Sequence, residues 1–108
     1  MKNKSNRIEH LVSFHVGNML LNMFPDILVS VVKSEFAKDR RAINIFLSIF
    51  SDNKENIFKK IKNKAPTIRF NLAHKISLKK MPNIFFILDG GIEYSQKISD
   101  IMKEIREK

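Results

Sequence analysis

From Ile8 to Met23 the apolar residues Ile8, Leu11, Val12, Val16, Met19, Leu20 and Met23, with His15 among them, recur three and four apart, the spacing of one helix face. Ser5 stands before the stripe as a candidate N-cap, and Pro25 stops the helix. Gly17 costs such a helix up to ~1 kcal/mol relative to Ala, a cost that close approach of another backbone would explain. The period then shortens to two. "ILVSVVKS" (27–34) and "AINIFLSIF" (42–50) are rich in β-branched and aromatic residues, too short for buried helices, and separated by the polar "EFAKDRR". They predict an antiparallel pair. In the second strand Ile43, Ile45, Leu47 and Ile49 alternate with Ala42, Asn44, Phe46 and Ser48, so one face is strongly apolar and needs a helical cover.

"SDNKE" has the form of a capping box, Asp52 as N-cap and Glu55 reaching back. Ile57, Ile61, Ala65, Ile68, Leu72 and Ile76 follow at helical spacing as far as "KKMPN". "NIFFILD" (83–89) is a third strand, dense enough in apolar residues for the centre of a sheet, and Asp89-Gly90-Gly91 turns the chain. A last helix carries Tyr94, Ile98, Ile101, Met102 and Ile105 on one side and a Glu93–Lys97 pair on another. The pattern predicts an α+β fold in the order helix, strand, strand, helix, helix, strand, helix. Its helices pack on one face of a three-stranded sheet, in a single domain over 1–108 with residues 1–4 disordered.

Pro66 interrupts the long apolar stripe. The residue before a proline is pushed out of the α region, and proline suits the first position of a helix, so the break is expected at Ala65 with a new helix starting at Pro66. Unpaired N–H groups near Thr67, Ile68 and Arg69, together with the helix dipole, would favour an anion there. A plain bend that lets both halves lie on a twisted sheet is the alternative. Charge distribution bears on the choice. From Lys54 to Lys80 there are nine cations (Lys54, Lys59, Lys60, Lys62, Lys64, Arg69, Lys75, Lys79, Lys80) and one acid, Glu55, which is a net +8 of the chain's +9. A codon bias toward Lys would spread along the chain, whereas this clustering favours a surface for a polyanion. The triple replacement of Lys62, Lys64 and Arg69 by Gln is expected to leave folding intact and weaken binding.

Composition removes other classes. The chain has 108 residues, 44% hydrophobic, with nine Phe, no Trp and no Cys, so it can build a core but not a disulfide framework or a thiolate metal site. No apolar run reaches the ~18 residues that cross a bilayer, and "MKNKSNRIEH" lacks the apolar core of a signal peptide, so a cytoplasmic protein without a membrane partner is expected. His10 and His15 are not spaced to share a metal, His74 reads as solvent-facing, and "DGGIEY" lacks the Lys and spacing of a phosphate loop. The serines sit in no nucleophile elbow. Neither an enzyme nor a metal or cofactor site is expected. Phe46, Phe85 and Phe86 lie in strand patterns that suit core packing.

The order of elements resembles a type II KH domain. An opening helix with Arg7, a strand pair ending in "AINIFLS", a helix break followed by Arg in "APTIR", and "MPNIFFILDGGIE" together resemble the ribosome-binding factor A family from Arg7 to about Met102. The resemblance implies a KH-like, monomeric assembly factor that binds the small (30S) ribosomal subunit and 16S rRNA and assists late rRNA maturation. It also implies an Ala-any-Gly kink in place of a glycine-rich loop, matched here by Ala65, Pro66 and Thr67; Thr67 brings a side chain, whose hydroxyl could meet a phosphate, where the family has none. The RNA-binding candidates are Lys59, Lys60, Lys62, Lys64, Pro66, Thr67, Arg69 and Lys75. The connection from Ser34 to Ala42 is longer than the family leads one to expect, and there Lys38, Arg40 and Arg41 are candidates on charge alone. Two other readings stay open: a general binder of single-stranded nucleic acid, and a protein-interaction module using the last helix.

Overall fold

The structure, a computed structural model, describes residues 3–89, with side chains from Asn6 onward. The Gly90-Gly91 turn and the last predicted helix lie outside the described residues. Helix α1 runs Asn3–Met23, so Asn3 and Lys4 are already helical and Ser5 sits inside the first turn instead of capping it. Val12, Val16 and Leu20 are buried against the sheet, with Ile8, Met19 and Met23 packed at the core's edge. Each such Val, Leu or Ile contributes about 1.5–3 kcal/mol relative to an exposed one. Gly17 does not admit a second backbone. A Cβ placed there would meet only the Val31 Cγ2 methyl at 3.9 Å, an ordinary contact.

Strands β1 (Val29–Phe36) and β2 (Ala42–Ile49) pair antiparallel from Val29 opposite Ile49 to Phe36 opposite Ile43, with a bulge between Val31 and Lys33. Because β1 continues to Phe36, the loop between the strands is shorter than the sequence suggests. Strand β3 (Asn83–Leu88) lies parallel to β2 on its other side, from Ala42 opposite Asn83 to Leu47 opposite Leu88. The order is β1-β2-β3, so β2 is central and β3 is an edge, contrary to the expectation for "NIFFILD". Ile43, Ile45, Leu47 and Ile49 are all at most 1% exposed, and Ile84 and Phe86 continue that inner face. Phe85 and Ile87 belong to the opposite face and stand 55% and 37% exposed. The density of apolar residues in β3 therefore reflects two apolar faces and not a central position.

Helix α2 spans Lys54–Asn63 and caps on Asn53 rather than Asp52. No side chain caps it: Asn53 Oδ1 accepts from Asn56 Nδ2 at 2.8 Å, and the Asn53 N–H donates to Ser51 Oγ at 3.0 Å, so the capping box does not form. Helix α3 spans Ala65–Lys75. The break falls on Lys64, one residue earlier than expected, and Ala65 is helical. In an unbroken helix Pro66 would set its ring against the Lys62 carbonyl. Lys64 relieves this at φ −93°, ψ 3°, donating to Ile61 O at 2.9 Å. That conformation has negative φ, so the kink forms without glycine. Ile57, Ile61, Ile68, Leu72 and Ile76 carry one buried stripe through both helices.

Candidate nucleic-acid interface

The stripe that anchors α2 and α3 also dictates what they show to solvent. Lys59, Lys60, Lys62 and Lys64 are exposed around α2 and its end, with Lys62 Nζ 5.0 Å from the centre of the Phe58 ring. Pro66 and Thr67 are exposed on the first turn of α3, and Lys75 is exposed in its last turn. The expected anion seat at this N-terminus is weaker than the sequence suggests. Pro66 has no N–H, and the Ile68 N–H is already donated to Lys64 O at 2.9 Å. The lysine face stands; the bare backbone donors are fewer.

Arg69 also differs from its expected role. It is half-buried, with Nε donating to Pro82 O at 2.9 Å and Nη2 to Met81 O at 2.6 Å. Its guanidinium pins the approach to β3 against α3, so Arg69 is part of the scaffold and replacing it is not neutral for folding. Two N–H groups are spent and three of its five donors remain. Two depressions flank it. One, beside the kink, is a groove of about 510 Å³ between α3 and β3, lined by Ala65, Pro66, Phe70, Ala73, Ile84 and Phe85 along with Arg69 and Asn83. It is largely apolar, whereas the sequence leads one to expect a seat for an anion beside the kink. The other, about 250 Å³, gathers Arg40 and Arg41 from the β1–β2 loop with Arg69 and with Lys80 from the α3–β3 loop. The Asn83 N–H donates to Arg41 O at 2.9 Å and ties those loops together.

Lys80 counted only toward the basic segment in the sequence, yet it joins the arginines. Phe70, 65% exposed, and Phe85 rim the apolar groove. Phe85 departs from the core packing expected of it, because the alternation of β3 turns it away from Ile84 and Phe86; Phe86 is buried as expected and Phe46 is half-buried. His74 is exposed, with Nδ1 2.9 Å from Phe70 O and its ring 4.6 Å from the Phe70 ring. His15 is half-buried, its ring 5.2 Å from that of Phe14. Among the described residues no group of His, Asp or Glu could hold a metal ion, and no helix is long and apolar enough to cross a membrane.

The fold is similar to that of solved structures, and the sequence to that of curated proteins. Ribosome-binding factor A of Caldicellulosiruptor saccharolyticus is 41% identical over 72% of this chain, a match that spans 60% of that relative's length. The Caldanaerobacter subterraneus subsp. tengcongensis protein of the same name is 31% identical over 100% of this chain and 93% of its own. The crystal structure of Thermus thermophilus ribosome-binding factor A superposes with a TM-score of 0.69 at 14% identity, over 78% of this chain and 94% of that one. A homology model of the Thermus protein, fitted into a cryo-EM map of a 30S–RbfA complex, gives 0.67 at 13% identity, over 81% and 97%. With the Ribosome-binding factor A profile matching residues 4–102, this chain belongs to the ribosome-binding factor A family.

Proposed function

We propose that the chain binds the small (30S) ribosomal subunit as a monomer in the cytoplasm, contacting 16S rRNA, and assists late maturation of that RNA by binding energy alone. The exposed lysines of α2, beside a kink built without glycine, carry the reading. Four cations around one short helix can neutralise several phosphates, and holding one RNA arrangement more tightly than another shifts its population without covalent chemistry. A-form RNA offers shape, phosphates and 2'-hydroxyls to such a surface. Family membership and the 30S complex of the Thermus relative support the choice of RNA.

Co-sedimentation with purified small subunits across a salt series tests it. The apparent affinity is expected to fall steeply with salt, and Lys59→Gln/Lys60→Gln/Lys62→Gln to lower the log–log slope by roughly 0.7–0.9 for each phosphate that is no longer neutralised. Retention of full binding and slope by that variant rejects the α2 face. A second reading, general binding to single-stranded nucleic acid, draws on Phe70 and Phe85, since exposed aromatics at a groove stack on any base. Equal competition by random RNA and by small subunits would favour it.

A further inference from the structure

The pocket between the β1–β2 and α3–β3 loops is distinct from the lysine face, and three separate chain segments bring cations to it. Arg41 and Lys80 are exposed; Arg69 is held at a fixed orientation by the two carbonyls of Met81 and Pro82. Arg40 is the only non-glycine residue among those described with positive φ, at 60°, a conformation that strains an Arg backbone. The Ala37–Arg40 turn holds it there, with the Arg40 N–H donating to Ala37 O at 2.9 Å and the guanidinium carbon 4.6 Å from the centre of the Phe36 ring. Asp39, the acid of the β1–β2 loop, accepts the Arg41 backbone N–H at 3.0 Å and does not line the pocket. Arg41, Arg69 and Lys80 come together in this lining, which has no carboxylate among its described residues, and the three repel one another within a screening length. An anion relieves that repulsion.

We propose that the pocket lined by Arg40, Arg41, Arg69 and Lys80 seats one phosphate of the RNA backbone on its Arg41, Arg69 and Lys80 donors. The proposal rests on the reading of the chain as an rRNA-binding protein. The pocket is below the ~300 Å³ at which sites for drug-sized ligands begin, and its arginines present planar donor forks suited to phosphate oxygens. Arg69 supplies the pre-oriented floor, Arg41 and Lys80 close from the two loops, and the apolar groove on the other side of Arg69 is the way out for the strand.

The full chain carrying Arg40→Gln/Arg41→Gln/Lys80→Gln, with Arg69 untouched, tests this by binding to purified small subunits over a potassium chloride series. The log–log slope is expected to drop by about 0.7–0.9, the share of a single phosphate, and affinity at the lowest salt to fall roughly tenfold. The double variant Arg41→Gln/Lys80→Gln, which leaves the strained turn as it is, should move the same way with an unchanged unfolding midpoint. A slope identical to that of the unaltered chain in both variants overturns the pocket while leaving the α2 reading standing. Failure of the unaltered chain to bind subunits overturns both. Displacement by polyglutamate but not by an RNA homopolymer of equal charge would point to a carboxylate-bearing protein instead, and also overturns the phosphate assignment.

Discussion

Replacing Arg69 by Met keeps the aliphatic stem and removes the guanidinium that bonds Met81 O and Pro82 O. A hydrogen bond to a charged group contributes about 1.5–3 kcal/mol, and the two share one side chain that is partly open to solvent, so a loss of ~2–3 kcal/mol is expected. Against the ~5–15 kcal/mol that holds a small domain together, this is a large fraction. In urea, where m for small proteins is about 1–3 kcal/mol/M, the midpoint should fall by roughly 1–2 M. Lys62→Gln/Lys64→Gln, at exposed positions, should stay within about 0.5 kcal/mol of the unaltered chain. Coincident unfolding curves for the Arg69→Met and lysine variants would refute the scaffold role and return Arg69 to the surface. The comparison matters for function as well: loss of binding on changing Arg69 would report a displaced β3 entry as much as a missing grip on phosphate.

Gly17→Ala should stabilise the chain by about 0.5–1 kcal/mol, the helix preference for Ala over Gly, because Val31 leaves room for the methyl; a lower thermal midpoint would show hidden crowding between α1 and β1. Ser13 and Ser34 form a hydroxyl pair at 2.8 Å beneath α1, with Ser34 only 5% exposed. Ser13→Ala should cost about 1–2 kcal/mol by leaving the Ser34 hydroxyl without its partner, and adding Ser34→Ala should recover much of it. A double variant as unstable as the sum of the singles would mean that the pair has no net coupling.

The local periods were legible in the residues themselves. The alternation of Ile43, Ile45, Leu47 and Ile49 and the stripe from Ile57 to Ile76 bury the faces they announce, and the stripe on α1 does so at Val12, Val16 and Leu20 while Leu11 stays exposed at its margin. Interactions between distant segments were not legible. Arg69 looks like one more cation until residues 12 and 13 positions away present their carbonyls to it. The position of β3 depends on which edge of β2 remains after β1 has paired, and no property of "NIFFILD" alone encodes that. The kink moved by one residue because a turn can be absorbed before a proline as well as at its neighbour, and the Lys64 bond to Ile61 decides between them. The pocket of Arg40, Arg41 and Lys80 needed the two loops to meet, which the Asn83–Arg41 bond accomplishes.

The parallel pairing of β3 with β2 has a bearing on biosynthesis. During translation α1, β1 and β2 emerge first and can associate as a helix and hairpin, but the far edge of β2 stays unsatisfied until both later helices have been made and β3 has arrived. Until then the nascent polypeptide presents an open row of amides and carbonyls next to its most oily strand, the arrangement most prone to mispair with a neighbouring chain. Truncation ahead of Asn83 would make that transient hazard permanent.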